Sequence, residues 1–363
     1  MDIGRRELRK MEIKTKIINN NLEKDIVVSS DLIDTIYEII KQTYLEAKEI
    51  HVKNPTNADN KELSDFLTYI LAYPKGIETP KVIVSEEHIN SNNNYYDEFT
   101  ERTLVCFSGG VDSTGALLKL LDEEKNPVAF WCDYGQPYKE PERRAVEKIC
   151  KKLNIPLIEA VLDLTDLIAI GGKKFGHVFP ARNLMIASIG LCFKPKEIVL
   201  AGLCDELVVP DKSLRMYEEF IKYFEIPLYS PFVNMTKTEV LCVWKAKWDK
   251  YLNAKETVSC YSNNGDCQDC SSCAKREVAF VASDYTNQYP EVFTNQHELI
   301  EGHWFSRVDI FQYERRTDML IALSKYKEKL TPKLQELVSY NCQKYKDEIT
   351  KRKNQLNMLK ESK

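Results

Sequence analysis

The stretch "LVCFSGGVDSTGALLKLL", residues 104–121, decides the fold. Four apolar residues run straight into Ser108-Gly109-Gly110, Asp112, Ser113 and Thr114 follow, and then a helical pattern begins. A strand that feeds such a loop and then a helix aims backbone N–H groups at whatever sits over the helix N-terminus, where the helix dipole favours negative charge. Paired glycines remove the Cβ atoms that would hold a ligand off the backbone, and they allow positive φ. The arrangement suits phosphate. No Gly-Lys-Ser/Thr follows, so this is not a Walker loop, and it is not G-x-G-x-x-G either. A bare Ser-Gly-Gly would serve equally as a tight strand-to-helix turn, whereas "SGGVDST" is far more specific.

Outward from this loop the pattern alternates. Strands are predicted at 103–107, 128–133, 157–162 and 197–202, and helices at 113–122, 138–152, 182–193 and 213–224. Strands alternating with helices of this length imply crossover connections and a doubly wound parallel sheet, an α/β fold. In such a sheet ligands bind beyond the carboxyl ends of the strands. The glycine loop, Asp133 to Gln136 and Gly202 to Asp205 all follow predicted strand ends, so they should converge on one crevice.

Upstream, residues 11–28 read as a hairpin, "MEIKTKII", a turn at Asn19-Asn20-Asn21 and "DIVV". Ser29, Ser30 and Asp31 can cap a helix with Leu32, Ile33, Ile36, Ile39 and Ile40 on one face. A second helix is expected over 61–73, stopping before Pro74. The polar run "NSNNNYYDE", 90–98, marks a boundary. Downstream, a helix near 237–252 leads to a cysteine cluster. The last 80 or so residues read as helical, with Thr331-Pro332 as a helix start and Leu334, Leu337, Val338, Cys342, Tyr345, Ile349, Leu356 and Leu359 on one face. Three regions are therefore expected: a small α+β module over 1–99 whose role the sequence does not give, the α/β domain over 100–285, and a helical extension over 286–363.

The 363 residues are 43% hydrophobic and 29% charged, the balance of an ordinary globular protein. No apolar run approaches the roughly 18 residues of a membrane span. The start "MDIGRRELRKMEIKTK" has no apolar h-region of a secretory signal. A net charge of −4 argues against a standing role on nucleic acid. Eleven cysteines, four of them clustered, suit a cytoplasmic chain with a metal site better than a disulfide framework. Cys260, Cys267, Cys270 and Cys273 have the spacing C-x6-C-x2-C-x2-C. Four thiolates can close a tetrahedral zinc site, and Cys-x2-Cys steps also suit iron–sulfur clusters.

The loop "SGGVDS" resembles that of the ATP pyrophosphatase (PP-loop) superfamily, whose members bind ATP, form an adenylate on a substrate oxygen and release pyrophosphate. Three further stretches narrow the likeness: "DYGQ" at 133–136, "FPARN" at 179–183 and "SCYSNNGDCQDCSSCAKREVAF" at 259–280. In this order and spacing they resemble QueC, the 7-cyano-7-deazaguanine synthase family, over roughly residues 103–283. Typical members lack extensions as long as those at either end of this chain.

The resemblance implies an ATP-binding set of Ser108, Gly109, Gly110, Asp112, Ser113, Gly135 and Gln136, with Asp112 near a Mg²⁺ ion or the loop's own amides. It implies that Arg182 holds a phosphate or the substrate carboxylate, that Asn183 anchors its loop, and that Lys237 in "NMTKTEV" neutralises charge at the α-phosphate. Asp112, Arg182 and Lys237 are thus the candidate catalytic residues. Asp205 and Asp211 are the candidates to face a guanine-like base, together with Arg182 and Asn183 as substrate contacts. Here the chain departs from the family: its "LCDELVVPDKSLRMYEEF" keeps Pro210-Asp211 of a "YPDCR"-like segment but neither the tyrosine nor the Cys-Arg pair. The resemblance favours Zn²⁺ at the cysteines, pinning the loop after residue 258 near the substrate pocket.

The chemistry it implies is adenylation of 7-carboxy-7-deazaguanine, attack by ammonia, and a second adenylation on the amide oxygen that leaves a nitrile. A second reading keeps the adenylation and joins the acid to an amine of a partner protein, as QueC-like proteins of anti-phage defence do, with the N- and C-terminal extensions as partner surfaces. A tRNA sulfur-transferase with Cys132 or Cys204 as nucleophile, and a nucleotide-binding scaffold without turnover, are the remaining readings. The resemblance also suggests a homodimer.

Overall fold

The structure, a computed structural model, describes residues 11–19, 22–71, 79–85, 93–162, 164, 181–204, 210–262, 265, 267–285 and 291–361, with the backbone alone over 210–213. The chain opens with the hairpin read from the sequence. β1 (Ile13–Asn19) and β2 (Leu22–Val28) pair antiparallel in the register Ile13↔Val28. Ser30 caps α1 (Asp31–Tyr44), its Oγ accepting the Leu32 N–H at 3.2 Å. The helix buries Leu32, Ile33, Ile36, Ile39 and Ile40, the face expected from the periodicity.

Two short strands follow that the sequence pattern does not foresee. β3 (Glu49–Lys53) and β4 (Lys81–Ser85) pair in parallel as a separate small sheet, with α2 (Asn60–Leu71) between them in the chain. Each strand is five residues long and buries only two side chains, Ile50 and Val52 in one, Val82 and Val84 in the other. So short an alternation carries little signal.

The expected parallel core comes next: β5 (Thr103–Cys106), α3 (Val111–Asp122), β6 (Pro127–Asp133), α4 (Lys139–Leu153), β7 (Leu157–Val161), α5 (Arg182–Leu191), β8 (Glu197–Val199), α6 (Pro210–Phe224) and β9 (Leu228–Tyr229). The parallel strands lie in the order β7-β6-β5-β8-β9. The chain moves outward from β5 to β7 and then crosses back to β8, so the topological switch point lies between β5 and β8. β1 lies antiparallel along β7, with Ile17 opposite Ile158, and extends this sheet to seven strands with β2 at its edge. The N-terminal hairpin therefore shares the sheet of the α/β core.

Two helix expectations change. The helix expected over 237–252 is α7 (Lys237–Val243) followed by a π turn over Trp244–Trp248. The wider turn accommodates two buried indoles four positions apart, and Trp244 Nε1 donates to the Leu252 carbonyl at 2.7 Å. After α8 (Ser271–Ala282), short turns between Val292 and Ile310 lead to α9 (Tyr313–Lys325). The single amphipathic face read beyond Thr331 is split at Tyr345 into α10 (Pro332–Lys344) and α11 (Lys346–Glu361). One straight helix of that length would run about 45 Å at about 1.5 Å per residue, far past α9. The break lets both halves pack on α9, burying Leu334 and Val338 of α10 and Leu356 of α11.

α3 crosses α7 at Gly115, where an added Cβ would stand 3.0 Å from Val240 Cγ1 and 3.3 Å from Phe232 Cε2. Gly115→Val is expected to destabilise the protein by about 1–3 kcal/mol through overpacking, read as a lower urea midpoint at unchanged slope. An unchanged midpoint would mean that the two helices do not meet this closely.

Candidate active site

β5 ends beside its neighbour, with the Phe107 N–H donating to the Phe130 carbonyl at 2.7 Å. The next turn needs its glycines for two different reasons. Gly109 has φ +70°, and a Cβ there would meet Ala145 Cβ of α4 at 3.1 Å. Gly110 is the N-cap of α3 and brings no side chain to fill the first turn. The amides of that turn thus point outward from a helix N-terminus, the arrangement that receives phosphate. Ser113 Oγ accepts the Ser108 N–H at 3.3 Å and lies 3.3 Å from Ser108 Oγ, so the two hydroxyls close the loop across its base.

A second helix N-terminus faces the first. Thr236 caps α7 in a full capping box: its Oγ1 accepts the Glu239 N–H at 3.2 Å and Glu239 Oε2 accepts the Thr236 N–H at 2.8 Å. Lys237, the first residue of α7, reaches Asp112 in the first turn of α3, Nζ to Oδ2 3.0 Å. The pair is mostly shielded, with side chains 12% and 16% exposed. A cation at a helix N-terminus is opposed by the dipole, and the Asp112 carboxylate offsets that. An anion arriving at the glycine loop would compete with Asp112 for the same ammonium group.

The "DYGQ" stretch forms the turn after β6. The Gly135 N–H donates to Asp133 Oδ1 at 2.9 Å, and Lys139 Nζ pairs with Asp133 Oδ2 at 2.9 Å. Gln136 is 1% exposed: its Oε1 accepts the Tyr134 N–H at 2.9 Å, and its Nε2 donates to the Cys132 carbonyl and to Glu142 Oε2, both at 3.2 Å. Its amide group therefore shapes the turn. Glu142, which no sequence motif singles out, also accepts from Trp131 Nε1 at 3.5 Å. Burial pushes its carboxyl up to about 7, against the pull of the Gln136 and Trp131 donors and of nearby Arg182.

Arg182 opens α5 after Ala181, whose φ of 54° turns the chain into the helix. Its part-buried guanidinium lies close enough to the phenol groups of Tyr134, Tyr138 and Tyr261 for them to raise its pKa against the cost of burial. The Tyr134 and Tyr138 hydroxyls are 3.2 Å apart, and burial raises both pKa values, which keeps them protonated. The Tyr138 and Tyr261 rings lie 5.0 Å apart at 41°. The group is also invisible in the sequence, because Tyr261 comes from a loop far along the chain from the turn that carries Tyr134 and Tyr138. Asn183 is exposed at the start of the same helix. Phe179, Pro180, Asp205 and the side chain of Asp211 lie outside the described residues. Cys132 is buried, and burial pushes its thiol up, an environment for packing rather than nucleophilic attack.

The four clustered cysteines meet as their spacing suggested. Sγ atoms of Cys260, Cys267, Cys270 and Cys273 all lie within 4.8 Å of one another. Backbone N–H groups of Ser262 and Cys267 donate to Cys260 Sγ at 3.3 Å, and those of Asp269 and Cys273 donate to Cys267 and Cys270 Sγ at 3.4 Å. Four soft donors, each supported in this way or buried, fit a tetrahedral metal such as zinc. The segment before the cluster touches the glycine loop directly, the Val258 N–H donating to the Gly109 carbonyl at 2.8 Å. Buried Arg276 of α8 holds that segment from behind, through Thr257 Oγ1 at 2.6 Å and the Ala254 carbonyl at 3.3 Å. Gly265 abuts Pro141 of α4 so closely that a Cβ would come within 2.5 Å of it.

Comparison with known proteins agrees with this architecture. Residues 102–176 and 172–284 match the family described as queuosine biosynthesis protein QueC. A 7-cyano-7-deazaguanine synthase of Pseudoalteromonas translucida is 25% identical over 218 residues, 52% of this chain and 97% of that protein. Enzymes of the same name from Saccharolobus solfataricus and Sulfolobus acidocaldarius are 30% and 28% identical over 211 and 213 residues, 49% and 50% of this chain. Of these two longer relatives the chain covers 45% and 46%. Among the described residues no helix is long and apolar enough to cross a membrane. With the glycine loop at the switch point of a doubly wound sheet and the cysteine cluster beside it, the chain belongs to the QueC family.

Proposed function

We propose that the protein is an ATP-dependent synthase that activates the carboxylate of a 7-deazaguanine acid and transfers it to nitrogen. The observation that carries this reading is the glycine loop that opens α3, with Lys237 of α7 paired to Asp112 in the first turn of that helix. A carboxylate does not react with an amine at neutral pH without a leaving group. Its oxygen attacks the α-phosphorus of ATP, the bond to the β-phosphate oxygen breaks, and pyrophosphate leaves. Ser108, Gly109, Gly110 and Ser113 stabilise charge growing on that leaving group through preorganised amides and hydroxyls. Lys237 offsets charge at the α-phosphate. Asp112 offers the hard oxygen that suits Mg²⁺, an ion that offsets the charge on phosphate oxygens when bound.

A nitrogen nucleophile then attacks the carboxyl carbon, AMP leaves with one carboxyl oxygen, and an amide remains. With ammonia as nucleophile, adenylation of the amide oxygen and loss of a second AMP give a nitrile, the product for which the relatives are named. Arg182, with Tyr134, Tyr138 and Tyr261 nearby, suits a planar acid: a cation for the carboxylate and aromatic faces for the ring. Asp205 and Asp211 remain the proposed contacts for the base edge, Asn183 a proposed anchor, and Gly135 and Gln136 the proposed rim on the nucleotide side. The cysteine cluster would hold Zn²⁺ as a structural ion that fixes the segment at Val258 against the glycine loop and Gly265 against α4.

Glu142 braces the nucleotide-side turn, and its raised pKa sets a sign. Its carboxyl sits at about 7 in the folded chain against a usual 4.5. The folded state then holds a proton that the unfolded state has released, so this group's contribution is fully present below about 4.5 and is lost as pH rises through about 7. Glu142→Gln is therefore expected to gain stability relative to the parent at about pH 8 and not at about pH 5, read by urea unfolding. Parallel pH profiles for the two proteins would refute the assignment.

Incubation with ATP, Mg²⁺, 7-carboxy-7-deazaguanine and ammonium is expected to release pyrophosphate and AMP and to yield the nitrile by mass spectrometry. Lys237→Met should lower the rate by about 10²-fold or more, the usual loss for one transition-state donor. A mass gain of the acid minus water on a partner protein, without free nitrile, would move the acceptor to a protein amine. ATP binding with no pyrophosphate from any deazaguanine acid would overturn the synthase. The purified protein is also expected to carry about one zinc per chain, as a closed site of four thiolates does. Stripping the metal should lower the melting temperature, since structural metal binding contributes folding energy; an unchanged melting temperature would make the cluster plain thiols.

A further inference from the structure

The C-terminal helices lie beyond residue 284, where the family match ends, yet one of their side chains reaches the nucleotide site's support. Arg352 of α11 is 1% exposed. Its Nε and Nη2 donate to the two oxygens of Asp318 on α9 at 2.8 and 2.9 Å. Its remaining reach goes to α7: Nη1 to Glu239 Oε1 at 2.6 Å and Nη2 to Thr236 Oγ1 at 2.9 Å. Thr236 and Glu239 are the two members of the capping box that begins α7, and Lys237 is the residue between them that meets Asp112. Each box member thus accepts twice: Thr236 Oγ1 from the Glu239 N–H and from Arg352, and the Glu239 carboxylate from the Thr236 N–H and from Arg352.

A buried arginine is a poor device for stability alone, because a well-packed apolar residue often does as well. It is a good device for geometry, since its planar fork fixes several acceptors in one arrangement. Here the guanidinium joins three elements, and the one that gains a fixed orientation is the first turn of α7. We infer that Arg352 is a positioning residue that holds the capping box of α7 and so aims Lys237 at the glycine loop, which couples the C-terminal helices to nucleotide handling. The inference rests on the reading of Lys237 given under the proposed function. Its consequence is reciprocal: whatever loosens α11 weakens the hold on the nucleotide, and nucleotide bound at Lys237 tightens the docking of α11.

Removing the guanidinium outright would leave Asp318 buried without its partner, so the test uses Arg352→Lys and the paired Arg352→Leu/Asp318→Asn in the full-length chain. The lysine keeps one charge beside Asp318 but cannot span to both box members. In the nucleotide-free protein, hydrogen exchange at the Thr236, Glu239 and Val240 amides should accelerate while the α9 amides stay protected. In pyrophosphate release, the KM for ATP should rise roughly tenfold, the scale of coupling between residues in one network, and the change should vanish in a Lys237→Met background, where there is no ammonium group left to aim. Variants that melt earlier but show the parent's KM, or an effect that adds to that of Lys237→Met, would reduce Arg352 to a structural role and overturn the inference. If the parent protein releases no pyrophosphate, the proposed function fails on its own account. The exchange arm then decides the positioning, and unchanged protection at Thr236 and Glu239 overturns it.

Discussion

The close approach of backbone to backbone at Gly109 governs this molecule. Its missing Cβ lets α4 press to within 3.1 Å of where that atom would stand, and its carbonyl receives the strap that leads into the cysteine cluster. Any larger residue would separate α4 from the loop and strain the backbone at positive φ. The elements around the start of α3 are held by each other: α4 by Gly265 at its start, the strap by Arg276, and α7 by its own capping box. Such packing keeps the loop rigid, and preorganised donors are useful to an anion only if they do not relax toward one another.

The two halves of that support have separate cores. One face of the sheet, with α3, α4 and α7, buries one set of side chains, from Val105 and Val111 to Trp244 and Phe280. The cysteine segment and the C-terminal helices share another, in which Cys260, Cys273 and Val281 pack in one cluster with Leu320, Leu334, Val338 and Leu356. α8 stands between them, with Phe280 in the first and Val281 in the second. The clustered cysteines therefore belong to an apolar unit that the C-terminal helices complete. Lys325 of α9 caps the same junction by donating to the Val281 carbonyl at 2.7 Å.

Much of this is legible in the sequence where structure is local. The run from Leu104 to Leu121 reads as strand, loop and helix because the apolar block, the glycines and the helical pattern follow within one short segment. The cysteine spacing is legible for the same reason. What stays hidden depends on partners far along the chain. Nothing near Tyr345 marks a helix break; the shape of α9 imposes it. Arg352 reads as one more cation in a lysine-rich helix, and its burial depends on Asp318 and on a capping box more than a hundred positions away. Glu142 likewise reads as a surface acid of a helix start until Trp131 and Gln136 are seen above it. β3 and β4 escape notice because two buried side chains apiece make no period.

The hairpin laid along β7 has an effect on how copies of this chain can meet. It occupies the hydrogen-bonding groups that the parallel core would otherwise present at that border, and it moves the border out to β2. One end of β2 is already stitched to the chain itself, Ser29 and Asn94 exchanging backbone bonds at 3.2 and 3.0 Å. The rest carries Glu23, Lys24 and Asp25 in the open, the mixed charges that discourage a strange strand from adding on. Sheet-to-sheet joining is thereby discouraged on this flank, and a second subunit would be steered toward helical faces.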